Sequence, residues 1–481
     1  MYVEAWARTV GVRAVLLVFA LASSTCSKSR VPQSDSGIDS GLPSKLGFSK
    51  CIEDWPSAGG PHPVKPSLAV DAPKLLWTMD DFNGSQATGG VLDSSDGGPV
   101  LSKNRLALQA GQFIYFLNRD GTNPQAARLT PFGSYPSGLV ADLDGNIYFV
   151  AQDGVVSADA NGNKRWQGGD GAQGGLGEFG YYAPPVLGPD GVVYAVTSNQ
   201  RVFALRTQDG STIWSQAAPR DNVIASRVMG GGGMALFLAI GDTRTDALNT
   251  KDGTTLGSFV DPADGRSFVW EWGAWSEAWN LAVSYGNMVV FDTCGLTRWS
   301  GTPKGGGGVI AVGELLVVAT STQVGTLLLF DTNGNTVAGP VAAEGRPLAA
   351  GADGTIYTVE CKASQQVGTP ATNWILAYSS DLKELWRFDL GGGSCLGMTG
   401  NVVLDDDGVM YLMRSSPNIS GTQVMAIQTR SPGLADSSWP SWRHDNRGTA
   451  WLVPGAVGST TPADAAVSNV IDVPVDSRDS D

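Results

Sequence analysis

The chain has 481 residues, of which 63 are Gly and 16% are charged; usual values are about 7% and about 25%, so it is rich in turns and poor in long exposed helices. Its 46 acids outnumber 32 Lys and Arg for a net charge of −14, which argues against nucleic acid or an anionic bilayer as main partner, because Lys and Arg carry such binding. With only His62 and His444, a multi-histidine metal site is excluded and any Ser-His-Asp or Cys-His relay has two bases to choose from.

Of the acids, 37 are Asp and nine are Glu. Asp closes turns through its short side chain whereas Glu favours helix, so the bias points to an all-β protein.

At the N-terminus, Arg8 and Arg13 precede the apolar run 14–22, followed by Ser23, Ser24, Thr25 and Cys26. Charged, apolar and small-residue zones in that order predict a secretory signal over 1–26, and the run is far short of the ~20 residues of a membrane span. The run LASSTC resembles the lipid-attachment site of bacterial lipoproteins, with Ser23 where a large aliphatic residue is preferred; Cys26 is the candidate lipid anchor, cleavage without lipid the alternative. Residues 27–72 begin with a Ser-, Pro- and Asp-rich stretch that has little to bury and read as a linker and N-terminal extension. The acidic stretch 455–481 reads as a disordered tail.

Between these ends, over 73–454, one pattern recurs: a hydrophobic run, a turn closed by Gly, then a short run often ending in Trp. The turn positions are Gly121, Gly162, Gly210, Gly253, Gly295, Gly334 and Leu382, in steps of 39 to 48 residues. Trp166, Trp214, Trp299 and Trp386 each stand four residues beyond a turn position. Upstream hairpins read DGNIYF from Asp144, DGVVYA from Asp190, DGTIYT from Asp353 and DGVMYL from Asp407; Asp-Gly between apolar runs is a strong hairpin signal. Strands repeating every 40 to 45 residues with no helix between them match one four-stranded propeller blade per unit. The eighth unit, from Val402, lacks a fourth strand, and the run 73–79 with Trp77 supplies one. The expected fold is therefore an eight-bladed, antiparallel β-propeller closed by an N-terminal strand, with seven blades as the alternative.

The run Asp190 to Trp214 (DGVVYAVTSNQRVFALRTQDGSTIW) resembles the pyrroloquinoline-quinone-type propeller repeat. WPSWRHDNRGT, from Trp439, resembles a segment seen at an end of such chains. The resemblance spans about 73–451 and implies fold more than function, since the family holds quinone-dependent dehydrogenases as well as cofactor-free docking platforms. Among the latter is the lipoprotein subunit of the outer-membrane β-barrel assembly machinery. Those dehydrogenases carry adjacent cysteines, and often a Cys-x-x-Cys-His haem site; the five cysteines here form neither. The resemblance thus points to the cofactor-free branch.

Four of the 15 tryptophans, Trp270, Trp272, Trp275 and Trp279, fall within ten residues. They are candidates for stacking on sugar rings or anchoring a protein interface, or else for core packing in the innermost strand and an enlarged loop of the fifth blade. The Asp-rich turns at 142–146 and 405–408 lack the Glu at position twelve of an EF-type loop and read as hairpin turns. The Gly-rich stretches at 168–180 and 305–308 lack the Gly-Lys-Ser/Thr order of a phosphate loop. His444, between Arg443 and Asp445, has no nucleophile motif beside it and reads as a packing residue.

With Cys26 consumed by lipid, four cysteines remain in an oxidising compartment, and Cys361 with Cys395, at one end of the seventh blade, is the candidate disulfide. No catalytic, cofactor-binding or metal residue is nominated. The expected protein is an exported, monomeric, non-enzymatic binding or scaffold propeller of the bacterial envelope, periplasmic or anchored to the outer membrane and reaching the membrane only through its lipid. Its expected partner is an envelope protein or a surface polysaccharide, not nucleic acid. The alternative is a sugar-binding module or a quinone-dependent dehydrogenase-like enzyme using the central face.

Overall fold

The computed structural model describes residues 64–80, 98–110, 113–127, 137–151, 154–169, 184–188, 190–197, 201–217, 228–231, 234–238, 245–259, 272–276, 280–285, 287–291, 297–301, 309–312, 315–319, 325–331, 333–342, 345–362, 371–393, 402–415, 422–435, 441 and 451–452. Cys26, Cys51, His62, Trp270, Trp279, Cys294, Cys395, His444 and the glycines 305–308 lie outside them. Within them the regular structure is all β, in eight sheets. No helix among the described residues is long and apolar enough to cross a membrane.

The sheets follow the chain. The first comprises Val100–Ser102, Arg105–Ala110, Phe113–Asn118 and Gln125–Ala127; the second Val140–Ala141, Ile147–Ala151, Gly154–Ala158 and Lys164–Gly168; the third Val186–Gly188, Val192–Val196, Arg201–Arg206 and Thr212–Ala217. In the fourth are Val228–Gly231, Met234–Leu238, Thr245–Asn249 and Thr255–Phe259; in the fifth Trp272–Ser276, Asn280–Tyr285, Asn287–Phe291 and Thr297–Gly301; in the sixth Val309–Val312, Leu315–Ala319, Thr326–Phe330 and Thr336–Ala342. Gly345–Ala350, Ile356–Lys362, Ala371–Tyr378 and Glu384–Gly393 form the seventh. The eighth takes Val403–Leu404, Val409–Ser415 and Thr422–Gln428 from its own unit, and its fourth strand is Lys74–Met79, antiparallel to Thr422–Gln428.

Burial explains why these strands read as they do. The second strands pack on both faces: Ile147–Ala151 is buried throughout, and Val192–Val196 in all but its first residue. Continuous apolar runs are what a strand between two covering layers requires. The fourth strands of the second and third sheets bury one side chain each, Trp166 in Lys164–Gly168 and Trp214 in Thr212–Ala217. The core lies between successive sheets. One cluster joins Tyr148, Val150 and Val155 of the second sheet to Val193, Ala195 and Phe203 of the third; another joins Tyr357, Val359 and Ile375 of the seventh to Met410, Leu412 and Ile427 of the eighth. A third joins Leu106 and Leu108 of the first sheet to Val409, Tyr411 and Val424 of the eighth. Each such aliphatic side chain contributes about 1.5 to 3 kcal/mol on burial.

The repeated turn joins third and fourth strands and needs one left-handed residue. Gly162 takes φ 82° and Gly210 φ 73°; at the seventh turn Leu382 occupies the same place at φ 60°. Leu382 is buried in the cluster between the sixth and seventh sheets, so packing offsets a conformation unfavourable for a side chain. Beside four of these turns sits a β-bulge with a Trp opposite the residue before it: Trp166 opposite Ser157, Trp214 opposite Ala204, Trp299 opposite Val290, Trp386 opposite Ala377. Trp77 stands opposite Ala426 at a bulge of the same kind. A bulge re-aims the strand and its side chain.

Candidate functional site

The Trp that recurs with the repeat is used at a seam between sheets. The Trp of one sheet lies against the turn glycine of the next: a Cβ on Gly210 would meet Trp166 at 2.5 Å, one on Gly253 would meet Trp214 at 2.6 Å, and one on Gly334 would meet Trp299 at 2.8 Å. The indole N–H donates to a carbonyl of that neighbouring turn, Trp166 to Thr207 at 2.9 Å and Trp214 to Thr250 at 2.8 Å. The repeat's Tyr stacks on the Trp of its own sheet, with ring centroids 5.7 Å apart for Tyr148 and Trp166 and 6.0 Å for Tyr194 and Trp214. Apolar area, a hydrogen bond and a ring pair thus meet in one residue, which is what Trp uniquely supplies.

The Asp-rich turns spend their carboxylates inside the hairpin. Asp142 accepts from the Asn146 amide at 2.8 Å, from Asn146 Nδ2 at 2.8 Å and from the Tyr148 hydroxyl at 2.7 Å. Asp405, buried, accepts from the Val409 amide at 2.8 Å and from the Tyr411 hydroxyl at 3.1 Å, and pairs with Arg119 of the first sheet at 2.9 Å. Burial pushes the Asp405 carboxyl above its ordinary value, against the pull of the Val409 amide and Arg119. The same burial, with the Asp405 charge, raises the Tyr411 hydroxyl. These turns are hairpin parts whose oxygens are already taken. At the seventh sheet a variant network replaces them: the Tyr357 hydroxyl donates to Ser431 at 2.5 Å, Ser431 donates to Asp353 at 2.5 Å, and Ser67 donates to the other Asp353 oxygen at 2.8 Å.

At the opposite end of the seventh and eighth sheets is a polar cluster the sequence reading missed. Arg414, only 5% exposed, donates from Nε to Gln423 at 2.5 Å and from Nη1 to the Gly392 carbonyl at 3.5 Å, and Gln423 donates to Asp80 at 2.7 Å. Burial lowers the Arg414 pKa, opposed by the charges of Asp80 and Asp389. On the seventh sheet, Asn373 is 1% exposed and neither of its amide atoms has a hydrogen-bond partner among the described residues. The signal for Arg414 was available: Met410, Leu412 and Arg414 share one face of a strand by alternation, so a guanidinium stands on a core-facing row.

Trp272 and Trp275 lie on the first strand of the fifth sheet, backbone-paired with Ser284 and Leu281. Cys361 lies within the second strand of the seventh sheet, in register with Asn373, and Asn373 is in turn in register with Gly391 of the fourth strand. Cys361 therefore does not follow that strand, as its position after Tyr357 suggested; pairing continues through Lys362, which keeps the cysteine inside the ladder. The tryptophans and Cys361 belong to different sheets and are not brought into one site. Among the described residues no group of three or more His, Cys, Asp or Glu is placed to hold a metal ion.

The family profile for outer membrane protein assembly factor BamB matches residues 68–256 and 151–284. Over residues 68–284 the repeats match the PQQ-like propeller family. The solved BamB from Moraxella catarrhalis is 14% identical over 74% of this chain and 100% of its own, at a TM-score of 0.49. The C-terminal WD40 domain of Sif2 is 10% identical over 74% of this chain and 99% of that one, at 0.50. The quinohemoprotein alcohol dehydrogenase ADHIIG from Pseudomonas putida HK5 is 11% identical over 72% of this chain and 75% of that one, also at 0.50. At such identities the likeness to Sif2 and to the dehydrogenase concerns the propeller fold alone. A comparison with curated protein sequences found no match.

Proposed function

We propose that this PQQ-like propeller is an exported, non-enzymatic binding scaffold of the bacterial cell envelope, built as eight blades with the last completed by Lys74–Met79. The observation that carries the reading is the BamB family profile over residues 68–284. The seam chemistry supports it: the recurring Trp side chains, with Arg165 and the Arg119–Asp405 pair, hold neighbouring sheets together, which favours a rigid platform whose recognition resides in loops. In this reading the N-terminal 26 residues direct export, Cys26 carries the lipid that tethers the propeller in the periplasm or at the outer membrane, and 27–72 is the linker and N-terminal extension. Cys361 and Cys395 close the end of the seventh blade as a disulfide. The partner is an envelope protein that meets Trp270, Trp272, Trp275 and Trp279, aromatic side chains of the kind enriched where interfaces are anchored.

Tagged protein recovered from cross-linked envelope extract, beside the Trp272→Ala/Trp275→Ala double variant, tests this. A stoichiometric envelope protein captured by the parent and lost from the double variant supports the scaffold. Retention of a surface polysaccharide instead, or saturable binding of added pyrroloquinoline quinone with a new absorbance band, overturns it in favour of a sugar-binding or enzymatic role. Cys26→Ser is expected to move the protein from the detergent phase to the aqueous phase.

A further inference from the structure

The first strand of a blade has a partner on one side only. Its other edge faces the axis of a ring, and unpaired strand edges are open to any extended segment. Two of these edges are occupied by the chain's own C-terminal part. In the seventh sheet, Ala349 bridges to Ser441 and Gly351 to Leu434, with the Ala435 amide donating to the Ala350 carbonyl at 2.7 Å and the Ala352 amide to Gly433 at 2.9 Å. Leu434, Ala435 and Ser441 are buried there. In the fourth sheet, Trp451 and Leu452 pair in parallel with Gly230 and Gly231 on the free side of Val228–Gly231, making it the one five-stranded sheet among those described.

The glycines explain the second anchor. Gly230 and Gly231 end the strand and open an unbroken sequence run of four glycines, and a strand end without side chains gains little from packing while leaving its backbone open to close approach. Hydrogen bonds from another strand are the stabilisation such an edge can obtain. Nine residues separate Ser441 from Trp451, enough for ten steps of about 3.3 Å. The two anchored sheets are three positions apart in the series.

We propose that the C-terminal segment is an intramolecular strap: Gly433 to Ala435 and Ser441 hold the free side of the seventh sheet's first strand, Trp451 and Leu452 that of the fourth, and a ligand or partner strand reaching the axial edge of the fourth sheet must displace Trp451 and Leu452. The axial placement rests on the eight-blade ring proposed above.

Hydrogen exchange with peptide resolution tests it on three full-propeller proteins: the parent, a chain ending at Pro454, and a chain ending at Arg443. Ending at Pro454 is expected to change nothing. Ending at Arg443 is expected to speed exchange of the Gly230–Gly231 region by about tenfold or more, as for an edge freed to open locally. Leu452→Pro in the full-length chain, which removes an amide from the strap but leaves the rest in place, should reproduce that gain, and a synthetic peptide of residues 444–454 should reverse it in the truncated protein. Unchanged exchange at Gly230–Gly231 in both the Arg443-terminated chain and the Leu452→Pro variant overturns the strap. Failure of the ring reading has another signature, fast exchange of Lys74–Met79 and Thr422–Gln428 in the parent itself.

Discussion

Trp77 lies against Gly121, 3.0 Å from where a Cβ would stand, and its indole N–H donates to the Arg119 carbonyl at 3.1 Å. This relation, between the fourth strand of the eighth sheet and the turn of the first, is the one Trp166 makes with Gly210 and Trp214 with Gly253. The first strand among the described residues has taken over the seam role of a repeat it does not belong to. Its Trp also meets Tyr411 at 6.1 Å between centroids, matching the Tyr148 and Trp166 pair.

The seams should therefore respond alike to substitution. Gly210→Ala puts a methyl into the Trp166 ring and a side chain into a left-handed position, with an expected loss of about 2 to 4 kcal/mol. Trp166→Ala is expected to lose about 3 to 5 kcal/mol, and half-buried Trp77 about 3 kcal/mol by the same argument. Urea unfolding measures each; a Trp77→Ala protein as stable as the parent would show that the first and eighth sheets do not depend on this seam.

Arg119 and Asp405 join the same two sheets, but unequally. Arg119→Ala removes one partly exposed partner, and the expected cost is about 1 to 2 kcal/mol. Asp405→Ala also strands the Val409 amide and the Tyr411 hydroxyl, so its cost should exceed that of Arg119→Ala by about 1 to 3 kcal/mol. A double-mutant cycle separates the pair from the hairpin. Equal losses for the two single variants would contradict the hairpin role of Asp405.

Acid should destabilise the protein through its turns. Hydrogen bonds from Thr122 hold Asp120 below its ordinary range, those from Ser211 and Thr254 do so for Asp209 and Asp252, and those from Asn335 for Asp331. A carboxyl lowered on folding contributes stability that is present above its unfolded value, near pH 4, and lost as pH falls through the folded value. Asp405 has the opposite sign: raised by burial, it favours the fold below pH 4 and loses that contribution as pH rises through its folded value. The lowered turn carboxyls outnumber it, so Tm should fall between pH 5 and pH 3. Asp209→Asn/Asp252→Asn should flatten that fall, because Asn keeps an acceptor without titrating. A Tm independent of pH across that range refutes the argument.

Asn373 offers a substitution expected to stabilise. Its amide is buried with both polar atoms unpartnered among the described residues, so each forfeits its water without compensation. Asn373→Leu, of similar volume beside Ile375 and Ala377, should raise stability by about 1 to 2 kcal/mol. A loss of that size would mean the amide is satisfied by a bound group in solution.

The strands, their four-residue turns and the Trp positions were legible in sequence because each is local. Asp159 closes its turn with amides two and four residues away, and Gly162 takes the φ its turn demands within that turn. Periodicity of local signals is visible without knowing where the chain goes. The incomplete eighth unit was legible too, since a missing strand and a spare Trp77 can be counted. Arg414 with Gln423 and Asp80, Asn373 left without partners, and Trp451–Leu452 on Gly230–Gly231 were decided only by tertiary structure. Their partners are set by which strands the fold stacks or leaves with a free edge, and a residue's neighbours across a seam are tens to hundreds of positions away, where hydrophobic pattern and turn chemistry carry no information.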